Sequence, residues 1–175
     1  MKYTRVSSVQ RALAVLAAAL AVLMLASQEA RAATWKGLEP FVSKRADVER
    51  VLGKPTADRL ARDGTLLFEL PSGAVTISFV TTKFIAARKL SPALEGTVLL
   101  IVVQHSASTD TPESLNLVKN PDYEKVASGP TQVYTNPKDG IYYTFVEGRL
   151  KTTRYSYSEE QLRTSKAPVE VKVTP

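Results

Sequence analysis

The sequence predicts an α+β fold, an N-terminal helix packed on a mostly antiparallel sheet of about six to seven strands, behind a cleaved signal peptide. Three observations predict it. Phe41 to Pro55 carries a short helix with both ends marked. Thr97 to Gln104 is an unbroken run of β-branched and aliphatic residues closed by a glutamine. From Tyr123 onward, short stretches rich in Val, Thr and Tyr recur between turns containing Gly or Pro.

In the helix, Ser43 is placed to cap the first turn, because its hydroxyl can accept from a backbone N–H that has no partner within the helix. Asp47 adds negative charge near the positive end of the helix dipole. Val48, Val51 and Leu52 fall at i, i+3 and i+4 and share one face. Gly53 suits the position just past a helix, and Pro55 prevents the helix from resuming. The expected role is packing, an apolar stripe laid on a sheet.

The strands follow in order. Thr56 to Gly64 reads as a charged connection ending in an Asp63-Gly64 turn. Thr65–Leu70 and Ala74–Val80 flank Pro71-Ser72-Gly73 and form a hairpin whose Val75, Ile77 and Phe79 point inward. Phe84 to Ala87 fits a helical turn or a strand extension equally well. Thr97 to Gln104 belongs at the centre of the sheet, covered on both faces, with the Phe41–Pro55 helix as one cover. Thr111-Pro112 reads as a cap with proline in the first turn of a short helix, Pro112 to Val118. A meander follows: Tyr123–Ala127, Thr131–Thr135, Ile141–Val146 and Arg149–Tyr157. A tight turn at Glu147-Gly148 would pair Val146 with Arg149 and Phe145 with Leu150. Strict alternation then sets Tyr142, Thr144, Arg149, Lys151 and Thr153 on a wet face. Residues 33–157 are thus expected as a single domain, and 158–175 as a polar, frayed tail.

The first 32 residues read as an address. Lys2, Arg5 and Arg11 precede the apolar run Ala12–Ala26, and Ala30-Arg31-Ala32 supplies small residues for cleavage. A bilayer span needs about 20 apolar residues, more than this run offers, so a secretory signal is favoured over a retained anchor. The whole chain has 23 Lys plus Arg against 17 Asp plus Glu. Residues 1–32 hold four of the former and one of the latter, which leaves 19 against 16, or +3. So small an excess does not argue for nucleic-acid binding. There is no cysteine, which excludes thiolate metal sites, thiol nucleophiles and a lipid-bearing N-terminal cysteine. The expected product is exported, periplasmic or extracellular, without a membrane span after cleavage, and held by its core rather than by disulfides.

The pattern Val48-x-x-x-Leu52-Gly53-x-Pro55, followed by an acidic turn and a strand pair, resembles the SmpA/OmlA type of small envelope protein, a component of the outer-membrane barrel-assembly machine. It also resembles the related β-lactamase-inhibitor-like domains. That resemblance implies a helix–Gly–x–Pro element leading into an antiparallel sheet. Trp35-x-Gly37 ahead of Ser43-Lys-Arg-Ala-Asp-Val-Glu-Arg-Val-Leu-Gly is similar to a group of exported bacterial proteins without an assigned activity. Val42 and Lys44 stand where the assembly-machine family has Gly and a capping Thr, and that family's lipid-bearing cysteine is missing.

Few residues suggest chemistry. The single histidine, His105, neighbours Ser106, but adjacent residues on an extended strand point to opposite faces, which prevents a direct nucleophile–base pair. Asp47 with Glu49 and Glu159 with Glu160 read as solvated surface pairs. The loop acids Asp110, Glu113, Asp122 and Asp139 match no calcium-loop spacing, and no Gly-rich phosphate cradle is present. Trp35 reads as a plug seating the new N-terminus, or as a ligand-stacking ring. The wet face of the last hairpin, with Arg149 and Lys151 near Tyr142, offers charge and stacking together. The expectation is an exported non-enzymatic binding or interaction module that meets another envelope protein or component and needs no cofactor. The rivals are a binder of an anionic polymer or membrane surface through that basic and aromatic face, a weak hydrolase, and an enzyme inhibitor.

Overall fold

A computed structural model describes residues 32–167. The expected leader therefore lies outside the described residues apart from Ala32, as do residues 168–175. What period-2 alternation builds is one eight-stranded antiparallel sheet: β1 (Ala57–Arg59), β2 (Thr65–Leu70), β3 (Gly73–Phe79), β4 (Val98–Gln104), β5 (Glu124–Ser128), β6 (Thr131–Asn136), β7 (Ile141–Val146) and β8 (Arg149–Ser156). Its spatial order is β1-β2-β3-β4-β8-β7-β6-β5. The described helices are short: α1 (Arg45–Leu52), α2 (Leu60–Asp63), α3 (Thr82–Arg88) and α4 (Glu159–Thr164).

This overturns the expected helix-on-sheet α+β architecture. An eight-residue helix is only about 12 Å long, and α1 contributes one fully buried residue, Val48. It patches a corner of a β fold and does not form a layer. The extra strand, β1, hides in the charged connection Thr56–Gly64, because Ala57-Asp58-Arg59 has no apolar alternation. Tertiary pairing with Leu67, Leu66 and Thr65 makes it a strand.

The helix itself differs in detail. Its N-cap position is Lys44, whose backbone N–H donates to Asp47 Oδ2 at 2.9 Å. Ser43 is buried and accepts from the Glu39 N–H at 2.9 Å, closing the turn before the helix. Val48 and Leu52 pack on the core, whereas Val51 is 39% exposed, so the three-residue stripe narrows to two. Gly53 ends the helix at φ 81° and donates its N–H to the Glu49 carbonyl.

The β2–β3 and β7–β8 hairpins pair as the sequence implies, including Phe145 with Leu150 and Val146 with Arg149 across Glu147-Gly148. Strand β4 is central, between β3 and β8. The long connection after it carries the chain to the far edge, from which β5 to β8 step back until β8 meets β4. That connection forms successive turns where a helix over Pro112–Val118 was expected. Thr111 Oγ1 caps them by accepting from Ser114 N.

The packed side lies on one face of the sheet. Leu38, Val48 and Trp35 cover Leu66, Phe68, Val75, Ile77, Ile101 and Val103. Leu117 and Leu115 cover Tyr134, Phe145 and Leu150. A third cluster gathers Phe41, Val80, Ile85 and Leu90 with Tyr157 and Leu162, and Phe41 stacks on Tyr157 at 4.6 Å. Leu162 belongs to α4, and Ser158 caps that helix while fully buried. The chain up to Ala167 is thus part of the folded body, which corrects the tail expected from residue 158. Among the described residues no helix is long and apolar enough to cross a membrane.

Candidate binding surface

The other face of the sheet is read off the register. One row crosses it through Leu67, Thr76, Val102, Arg154, Tyr142 and Thr135, paired strand to strand. None of these residues joins the three core clusters. All are half-buried except Arg154, which is exposed. Among the described residues, strand β4 is therefore covered on one face and open on the other, where Leu100 and Val102 lie half-buried. The expectation of cover on both sides does not hold.

A bulge decides which residues reach this face. Thr144 pairs with Thr152 while Phe145 pairs with Leu150, so β8 holds one extra residue and its alternation changes parity. Arg154 stands opposite Tyr142, where regular alternation placed Thr153, with its guanidinium 5.9 Å from the ring centroid. Such a contact at an exposed site is worth about 0.5–1 kcal/mol. Thr153, expected on the wet face, is 2% exposed on the core side. The sequence signal for Arg154 was the three-residue interval between Leu150 and Thr153. A period of two cannot place both on one face.

The structure separates the other candidates. Arg149 turns to the long connection and donates from Nη1 to the Thr109 carbonyl at 2.6 Å. Trp35 packs against the core cluster on the covered side, with the Lys36 ammonium 5.7 Å from its ring. Lys151 lines a shallow cleft of about 560 Å³ at one end of the open face, with Glu69, Ala74, Gln104, His105 and Ser106.

The cleft exists because β3 approaches β4 closely. Gly73 has φ 134°, and a Cβ there would sit 1.9 Å from the Gln104 carbonyl oxygen. The His105 ring is fixed by Nε2 against Thr153 Oγ1 at 2.9 Å, and its backbone N–H donates to the Lys151 carbonyl. Burial pushes its pKa below the ordinary histidine value, against an opposing pull from Asp110. Ser106 Oγ is directed to the Ser72 carbonyl, away from a partnership with His105. Among the described residues neither Glu69 nor Lys151 makes an ion pair.

Most of the other candidate carboxylates are engaged. Asp47 accepts from the Lys44 N–H and from Arg50, and the backbone bond first of all holds its pKa below the usual range. Arg45 bridges Glu49 and Asp58 at 2.7 and 2.8 Å. Glu160 pairs with Arg163, while Glu159 is exposed. Asp110 accepts from Ser108, Asp139 from Asn136, and Asp122 faces Lys138 at 3.4 Å. Glu113 lines a separate shallow hollow. Among the described residues no three His, Cys, Asp or Glu side chains gather as metal ligands would.

No protein-family model and no curated protein matches the chain. A solved structure of a DUF4309 family protein, YjgB, from Bacillus subtilis is similar to it at 14% identity and a TM-score of 0.48, over 70% of this chain and 84% of that one.

Proposed function

We propose that this protein is an exported, non-catalytic contact module that binds another component of the cell envelope through the open face of its sheet. The observation that carries this reading is the one-sided cover: the packed segments lie against the Ile101 and Phe145 side. The opposite face presents Leu67, Val102, Tyr142 and Arg154 half-buried or exposed. A flat strip of aliphatic, threonine and tyrosine side chains around one guanidinium suits a protein or peptide surface, where tyrosine and arginine anchors contribute most of the binding.

An anionic polymer is a poorer fit. With Arg149 tied to Thr109, Arg154 is the only cation of the central row, while Glu124 opposes Thr135 at its end. Too few charges converge for counterion release to dominate.

The test is capture from envelope extract by immobilised protein, beside a Tyr142→Ala/Arg154→Ala variant. The native face should retain a saturable partner at micromolar concentration, largely lost in the variant and little changed between 50 and 300 mM salt. Equal capture by both proteins, or no saturable partner, would remove the reading.

A further inference from the structure

The cleft at the end of the open face is built with opposite charges at its two ends. Glu69 lies on β2 and Lys151 on β8. Between them run β3 and β4, with Ala74 and Gln104 facing the gap. Glu69 pairs with Ala74, and Gln104 with Thr152, the neighbour of Lys151. Three strand spacings of about 4.8 Å separate the ends, or roughly 14 Å. No ion pair occupies either group among the described residues. The floor is low because Ala74 is small and Gly73 has no side chain. The walls carry neutral hydrogen-bonding groups, the Gln104 amide and the Ser106 hydroxyl, while the His105 ring is turned to Thr153 on the covered side.

We infer that this cleft binds a short zwitterionic peptide lying across the strands, its free ammonium on Glu69, its free carboxylate on Lys151, and its amide groups on Gln104 and Ser106. The length follows from the span. An extended chain at about 3.4 Å per residue crosses the roughly 14 Å between the two backbones in about four residues, and the Glu69 and Lys151 side chains with their contacts at either end shorten this to two to three. The inference rests on the proposal that the open side of the sheet is a binding side, and it names one ligand class for the end of that surface.

The test is titration of the whole protein with tri-alanine, read by calorimetry and by the backbone amide resonances of Gln104 and Ser106. Tri-alanine with free ends should bind saturably at millimolar concentration or below. Acetylating its amine or amidating its carboxylate should each weaken binding about tenfold, the loss of one charge-assisted contact. Glu69→Gln should erase the preference for the free amine only, and Lys151→Met the preference for the free carboxylate only. Both substitutions sit at exposed side chains, and circular dichroism reports whether each variant folds. Capped and free peptides binding alike, or no saturation, would overturn the inference. If capture from envelope extract still depended on Tyr142 and Arg154 in that case, the contact module would stand without its peptide cleft.

Discussion

Replacing Val48 by alanine removes two methyl groups from a side chain with no exposed surface, in contact with the cluster that holds Leu38, Ile77 and Ile101. Transfer of the two groups to water costs about 1.6 kcal/mol at roughly 0.8 each. One-methyl truncations in cores cost about 0.5–1.5 kcal/mol once the residual cavity is included, so two bring the total to about 2.5. Alanine returns about 0.5 kcal/mol as the better helix former, leaving a net loss of about 2. The same change at Val51 is a control within the same helix. That side chain is 39% exposed, water replaces the lost methyls, and the net loss should be about 0.5 kcal/mol or less. Urea unfolding followed by Trp35 fluorescence and far-ultraviolet circular dichroism measures both. The melting temperature should drop by roughly 6 °C for Val48→Ala, at about 3 °C per kcal/mol for a chain of this size. Equal losses at the two positions would mean that α1 lays its whole stripe on the sheet, and the assignment of Val51 to solvent would be wrong.

Gly73→Ala should lose about 2–5 kcal/mol in the same urea assay, combining a positive φ with a clash against the Gln104 carbonyl; a loss under about 0.5 would show that β3 and β4 separate freely. Proton resonances of His105 should titrate with a midpoint below the ordinary value of about 6.5, because burial disfavours the cation. The unfolded chain then binds the proton more readily, so this group's contribution makes stability rise with pH up to about 6.5 and level off above it. A midpoint above that value would mean that Asp110 outweighs burial. Asp58 should titrate below the usual aspartate range, held first by the Leu60 N–H and then by Arg45. Its folded pKa is depressed, so its stabilisation is present above about pH 4 and lost as pH falls through the folded value. Asp58→Asn should flatten that part of the acid unfolding profile, and an unchanged profile would contradict it.

Local chemistry made much of the sheet legible. The β2–β3 and β7–β8 hairpins are written in turn residues and alternation, because Glu147-Gly148 supplies the two left-handed positions that a two-residue turn requires. The continuous apolar run made β4 central for the same reason. Strand β1 was invisible, since Ala57-Asp58-Arg59 becomes a strand only by adding to an existing edge. The candidate surface was half legible: Tyr142 lies on the open face as expected, but the cation opposite it is Arg154, because one extra residue in β8 after Leu150 shifts the register, while Arg149 bonds to the Thr109 carbonyl.

By itself the sequence determined the hairpins, the central strand, the absence of thiol chemistry and the stop of the first helix at Gly53. Each depends on residues within a few positions of one another or on composition. Only the tertiary structure decided that β8 closes against β4, that the cover falls on one side, and that Glu69, Gln104 and Lys151 line one cleft. Those contacts join residues dozens of positions apart. They are fixed by register and by the burial of whole faces, and register leaves no mark on a short stretch of chain.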